Sequence, residues 1–180
     1  LGVKGKVHLG RLSGSFITDV RIDSLKITDP DDSVFVATGP VAVTFDPRDI
    51  LDGRIIIRSA DIEHPFVAIR EENDKRWNFR KVFPMETEGP RGPPPARNAF
   101  GALVLLHNVR VKGMHFQLTL PWEPDDTLKG ARRDSAITAN LAVTENEIRR
   151  VTTKGKPGFQ RTWRWTDGNI TLNQIRFKHP

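Results

Sequence analysis

The sequence predicts an all-β fold, a curved and bulged antiparallel sheet forming a groove or partly open sandwich, on three observations. Gly (14 residues) and Pro (13 residues) punctuate the 180-residue chain at short intervals. Between them lie stretches rich in Val, Ile and Thr, which suit a pleated and half-buried surface. The third observation is an apolar spacing of i, i+2, i+5, i+7. It occurs at Val20, Ile22, Leu25, Ile27; at Ile55, Ile57, Ala60, Ile62; at Val104, Leu106, Val109, Val111; and at Ile170, Leu172, Ile175, Phe177. In a regular strand a step of three throws the second pair to the opposite face. A bulge at the two central residues restores the phase and bends the strand, so that all four side chains share a face.

In chain order, strands are expected at Val3–Leu9, Phe16–Thr28, Val34–Thr38, Val41–Asp46, Arg54–Ile62, Phe66–Glu71, Arg76–Phe83, Leu103–Leu120, Ile137–Val143, Glu147–Thr152, Phe159–Trp165 and Ile170–Phe177. No segment shows a sustained 3.6-residue period. One short helix is expected near 47–51, where Asp46 can cap, Pro47 suits the first helical position and Gly53 ends it. Residues 85–98 read as a Pro-rich linker or excursion between a first β segment, 1–84, and a second, 99–180, that continues the same sheet. Pro121–Asp134 reads as a polar loop.

The quartets expect one continuous apolar face and an opposite face rich in Arg, Lys, Asp and Thr. Such an apolar face suits the wall of an open trough as well as the dry core of a sandwich, and spacing does not separate the two. The net charge is +6. All of the excess lies in residues 132–180, where Lys and Arg outnumber Asp and Glu ten to four. A basic end suits phosphate-bearing partners or a solvated surface. The chain has no Cys, which excludes disulfides, thiolate metal sites and cysteine nucleophiles. The longest apolar run, Ala99–Leu106, is far short of the ~20 residues that a spanning helix needs.

The run Val3-Lys-Gly-Lys-Val-His-Leu-Gly-Arg-Leu-Ser-Gly-Ser-Phe, followed by Val20-Arg-Ile-Asp-Ser-Leu-Lys-Ile-Thr-Asp-Pro, resembles the amino-terminal part of the AsmA-like and TamB-like bacterial envelope proteins. Further matching stretches follow in order: Asp46-Pro-Arg-Asp-Ile-Leu-Asp-Gly-Arg, His64-Pro-Phe-Val-Ala-Ile-Arg and Arg76-Trp-Asn-Phe-Arg-Lys-Val-Phe. In the second half, Leu106-His-Asn-Val-Arg-Val-Lys-Gly-Met and Phe159-Gln-Arg-Thr-Trp-Arg-Trp-Thr-Asp look similar. One departure is visible: Asn73-Asp-Lys-Arg occupies a turn that usually carries Gly. The resemblance implies a periplasmic domain tethered to the inner membrane by a helix upstream of Leu1 and absent from this sequence. It further implies that the sixteen quartet residues line a phospholipid-compatible trough.

Two acyl chains of roughly 30 methylenes, at about 0.8 kcal/mol each, would gain on the order of 25 kcal/mol by burial before costs. A basic residue near an anionic surface contributes only about 1 kcal/mol. In a lipid site, apolar residues therefore hold the ligand and cations orient it.

Signatures of catalysis are weak. Gly10-Arg-Leu-Ser13-Gly14 carries one residue too many before Ser for a hydrolase elbow. Gly155-Lys-Pro lacks the surroundings of a phosphate-binding loop. His8, His64, His107, His115 and His179 have no metal-binding spacing, and Asp29-Pro-Asp-Asp-Ser reads as a turn rather than a calcium loop. No enzyme activity, metal or cofactor is expected. Phe159, Trp163, Arg164 and Trp165 form an aromatic and basic stretch. They read as a buried or partner-contacting face, or as a membrane-interface contact, in preference to nucleic acid.

Two functions follow as expectations. The first is a non-enzymatic lipid-binding or envelope-biogenesis domain of an AsmA-like protein. The second is a structural accessory subunit on the periplasmic face of a multi-subunit membrane complex (respiratory, photosynthetic or translocation). It is motivated by strands of about 10 residues, which would make a wall only about 33 Å tall.

Overall fold

The computed structural model describes residues 4–15, 17–51, 55–83, 103–142, 147–153 and 156–178. Its strands are β1 Lys6–Leu9, β2 Leu12–Ser13, β3 Asp19–Ile22, β4 Leu25–Thr28, β5 Val34–Thr38, β6 Val41–Phe45, β7 Ile55–Glu63, β8 Phe66–Arg70, β9 Leu103–Pro121, β10 Glu147–Thr153 and β11 Lys156–Lys178. Its helices are α1 Pro47–Leu51, α2 Asn78–Val82 and α3 Gly130–Leu141. The expected excursion at 85–98 lies outside the described residues. The strands on either side of it belong to one open eleven-stranded sheet.

Most short strands are halves of longer ribbons. β1 and β2 form one ribbon, β3 and β4 a second, β6 and β5 a third, and β7 and β8 a fourth. The halves are separated by two residues at matching levels: Gly10–Arg11, Asp23–Ser24, Gly39–Pro40 and His64–Pro65. Hydrogen bonds bridge each break, as in Gly10 N to Ser24 O (2.7 Å), Gly39 N to Glu63 O (3.0 Å) and His64 N to Lys112 O (2.8 Å). β9 and β11 pass the same level unbroken but irregular. Gly113 sits at φ 62° and Asp167 at φ 58°, and the β9–β11 register shifts on both sides of Gly168. A crease thus runs across six adjacent ribbons. Glycine suits the crease: a Cβ on Gly10 would lie 2.9 Å from Ser24 N, and Gly113 has the left-handed φ that other side chains rarely adopt.

The all-β reading holds, but the sheet is mixed rather than wholly antiparallel. β9 runs parallel to both β7 and β8, from Ile55↔Val104 to Arg70↔Thr119. The reason is the long connection after Arg70, which returns the chain to the starting end; parallel pairing requires such a crossover. The expected strand Phe16–Thr28 is divided at the crease. The expected strands Phe159–Trp165 and Ile170–Phe177 are one strand, because Asp167-Gly168 makes an irregularity in the ladder instead of a turn.

The helix at Pro47–Leu51 has the expected bounds, and the Asp46 carboxylate accepts from Arg48 N at 3.0 Å. Two further helices replace expected strands. α2 occupies Asn78–Val82, within the expected strand Arg76–Phe83, because its buried residues Asn78 and Val82 lie four apart on one helical face. Asn78 Oδ1 accepts from Arg70 N (2.9 Å) and its Nδ2 donates to Ala68 O (2.7 Å). One side chain thereby serves the β8 backbone as a neighbouring strand would. α3 takes up part of the expected loop Pro121–Asp134 and the expected strand Ile137–Val143. The segment carries Ala131, Ala136 and Ala139, which favour helix, and it buries Ile137 alone. At the turn that lacks Gly, Lys75 adopts φ 65°.

The β4–β5 turn is held from within. The Asp29 side chain is fully buried and accepts from Asp31 N and Ser33 N, each at 2.9 Å, and from Arg70 Nη2 at 3.0 Å. Lys81 adds bonds to Asp31 (2.7 Å) and Glu72 (2.6 Å), tying α2 to the same turn. Asp29→Ala removes three acceptor contacts and strands buried donors, so urea unfolding should show a loss of about 2–4 kcal/mol. A change under about 0.5 kcal/mol, within the range of ordinary surface substitutions, would show that the turn does not depend on this carboxylate.

Candidate functional site

Register places most of the quartet residues in continuous rows. Ile55, Ile57, Ala60 and Ile62 pair with Val104, Leu106, Val109 and Val111. Those four pair in turn with Phe177, Ile175, Leu172 and Ile170. Val20 and Ile22 join two of these rows through Val43 and Val41. One row is therefore Leu12, Ile22, Val41, Ile62, Val111, Ile170, and the next is Val20, Val43, Ala60, Val109, Leu172.

The four copies of the spacing belong to two different break lines. In the last three, the step of three falls at Arg58–Ser59, His107–Asn108 and Asn173–Gln174, where Asn108 has φ 47° and donates to Arg58 O at 3.2 Å. In the first, the step falls on the crease, so Leu25 and Ile27 stand beyond it. Leu25 pairs with Leu9 and Thr38. Ile27 belongs to a row that sequence reasoning missed: Val7, Ile27, Val36, Val67, Phe116, Trp165. In each of the six ribbons this row lies five residues from the Leu12–Ile170 row. A five-residue apolar spacing, repeated six times, was the signal that could have found it.

At the crease His64 (φ 47°), Gly113 (φ 62°) and Asp167 (φ 58°) are left-handed, a turn of the backbone that resets side-chain phase as a bulge does, and the rows are read as one apolar wall on both sides of it. Among its described side chains only Ala60 and Val109 are buried; most are half-buried, and Leu9 (55%), Trp165 (51%) and Leu172 (40%) are exposed. A single sheet cannot bury its own apolar face, which calls for a second layer. The described strands, all of one sheet, provide none.

The opposite face is polar. A cleft of about 830 Å³ includes Arg21, Thr44, Arg58, Ser59 and Asp61, and one of about 540 Å³ includes Asp23, Glu63, Arg110 and Lys112. Two ion pairs lie on this face: Arg58 binds Asp46 at 2.6 Å and Arg110 binds Asp61 at 2.8 Å. The Arg110 hydrogen bond holds the Asp61 carboxyl below the usual carboxylate range.

The aromatic stretch is split between these environments. Phe159, Trp163 and Trp165 alternate onto the apolar face, while Arg164 points the other way and binds Glu147. Trp165 lies 5.4 Å from Phe116, Phe159 lies 5.8 Å from Trp122, and Arg161 stacks over Trp163 at 5.7 Å. Arg161 Nη2 also reaches Asn140 of α3 at 3.5 Å, which places α3 over the apolar face at this end of the sheet.

Ser13 stands in β2 opposite Arg21. Among the described residues, no three His, Asp or Glu side chains are grouped to hold a metal. Asn169 is engaged structurally, its Oδ1 accepting from Gly113 N at 3.1 Å.

Asp61 and Glu147 both have folded values below their ordinary 3.8 and 4.5, Glu147 chiefly through hydrogen bonds from Arg149 and then Arg164. Depressed values mean that this stabilisation is complete above the ordinary values and is lost as pH falls through the folded ones. Melting temperature should therefore drop below pH 4, and D61N should lessen the drop. An unchanged profile in D61N would show that the Asp61–Arg110 pair contributes nothing to acid sensitivity. No family model, curated protein or solved structure matches the chain.

Proposed function

We propose that this chain is the periplasmic β-groove domain of an AsmA-like protein of the bacterial envelope, tethered to the inner membrane, and that it binds phospholipid without catalysing a reaction. The observation that carries this reading is the apolar wall. Its rows run in register across six ribbons, yet nearly all of its side chains remain half-buried or exposed. Acyl chains supply the missing apolar layer, at about 0.8 kcal/mol per methylene buried. The ordered sequence resemblance supports the same reading. No helix among the described residues is long and apolar enough to cross a membrane.

Native mass spectrometry of protein extracted in mild detergent should show bound phospholipid; a lipid-free protein would sink the proposal. Ile57, half-buried between Phe45 and Leu106 in register, gives a sharper test. Ile57→Asp should keep a cooperative melt and lose lipid. An unfolded variant would instead mark the face as a dry interior, where an unpaired carboxylate is severely unfavourable.

A second reading, the accessory subunit, is favoured by a different observation. Val7, Leu9 and Leu12 are all exposed on β1 and β2, at an end of the sheet. Its original motivation is weakened, because β9 has 19 residues and β11 has 23. At about 3.3 Å per residue these walls are roughly 60–75 Å long, about twice the expected height. Under this reading Leu9→Lys should abolish co-purification with a membrane complex and leave lipid content unchanged; co-purification of the variant at full yield would exclude an edge contact there.

A further inference from the structure

The region where α3 overlies the apolar face holds a cleft of about 690 Å³ between α3, β10 and β11. Two of its walls are apolar: Ile137, the buried residue of α3, and Phe159, braced by Trp122. Its polar lining consists mainly of Arg133, Asp134, Arg150 and Glu123. Arg150 pairs in register with Phe159, and alternation carries that face through Arg161 and Trp163 to Trp165. The cleft therefore opens at the end of the apolar wall.

Arg58 on the polar face, and Arg70 and Lys81 around Asp29, are joined to carboxylates at 2.6–3.0 Å. Here two guanidinium groups and two carboxylates share one cleft, and among the described residues none of the four forms an ion pair. Unpaired charges of both signs beside an apolar surface complement a ligand that is itself zwitterionic and carries an apolar tail. Guanidinium groups match a phosphate in charge and in hydrogen-bond geometry, and carboxylates match an ammonium.

Resting on the lipid-binding reading, we propose that this cleft is the headgroup site. Arg133 and Arg150 take the phosphodiester of a zwitterionic phospholipid, Glu123 and Asp134 take its ammonium, and the acyl chains run from Phe159 past Trp163 onto the rows. Headgroup chemistry of the phosphoethanolamine type fits this set. An anionic glycerol headgroup would leave both carboxylates unmatched.

Binding can be measured by native mass spectrometry on the full chain with three probes: dihexanoyl-phosphatidylethanolamine, dihexanoyl-phosphatidylglycerol and dihexanoylglycerol. Soluble glycerophosphoethanolamine serves as a fourth, without acyl chains. The R133Q/R150Q double variant should weaken the phosphatidylethanolamine probe about tenfold or more, the loss of one or two charge-assisted contacts. Its affinity for dihexanoylglycerol should not change. E123Q/D134N should shift preference from phosphatidylethanolamine towards phosphatidylglycerol. The four residues are substituted at polar positions on the cleft rim, and a melting curve checks that each variant folds.

Equal binding of every probe by both variants and the parent would overturn the headgroup site and leave the apolar wall intact. Failure of the parent to bind even dihexanoylglycerol would overturn the lipid reading itself. Equal affinity for glycerophosphoethanolamine and its diacyl counterpart would assign the cleft to a free phosphate ester and overturn the lipid source. Loss of phosphatidylglycerol binding alone in R133Q/R150Q would overturn the zwitterion assignment.

Discussion

The sheet depends on a constraint of phase. A strand turns its side chains to alternate faces, so a single extra residue in one ribbon would send everything beyond it to the wrong side. The six ribbons bend together and stay in register because the irregularity lies at the same level in all of them. The five-residue step between Leu12 and Val7 is therefore matched at Ile22 and Ile27, Val41 and Val36, Ile62 and Val67, Val111 and Phe116, and Ile170 and Trp165. The ladder hydrogen bonds that cross the break at Gly10, Gly39 and His64 keep the two halves in one sheet.

This constraint explains what the sequence could and could not disclose. Alternation within each half is local, so most strands and their apolar parity were legible, as was the capped turn of helix at Pro47. The quartet spacing pointed to irregularities, of which the β6–β7 register shift opposite Arg58 is one, but the pattern alone did not tell which break lay beside which. That is a property of pairing, and it left Leu25 and Ile27 grouped with residues on the far side of the crease. The parallel seam at β9 was hidden because no local signal states which ribbon a returning chain will join. Asn78 shows the same limit: its helix reads as a strand by period two, and its function of closing the β8 edge is visible only once Ala68 and Arg70 are beside it. The cleft beneath α3 combines residues from three elements and has no linear motif.

The two faces divide the physical labour. On one, Asp46 with Arg58 and Asp61 with Arg110 tie neighbouring elements together through contacts that water weakens. On the other, side chains give up only part of their exposure. The buried carboxylate of Asp29 is the exception that anchors a turn and, through Arg70 and Lys81, joins α2 to the sheet. Stability thus resides in backbone pairing and in a few anchored turns more than in a thick interior. That distribution leaves the apolar wall free to meet a ligand.

The parallel contact at β9 has a consequence for the order of assembly. Residues 6–70 form a meander whose neighbours are close in sequence, whereas β9 and β11 pair positions 39 to 75 residues apart. The boundary of the meander is the pairing of β7 and β8 with β9, which joins positions some 50 residues apart. Contacts between near neighbours close at lower entropic cost and form sooner than distant ones. On a growing polypeptide the meander is complete while its β7 and β8 border still lacks a mate, and such a border invites pairing with other chains. The step that shields the nascent molecule from aggregation is the arrival of β9.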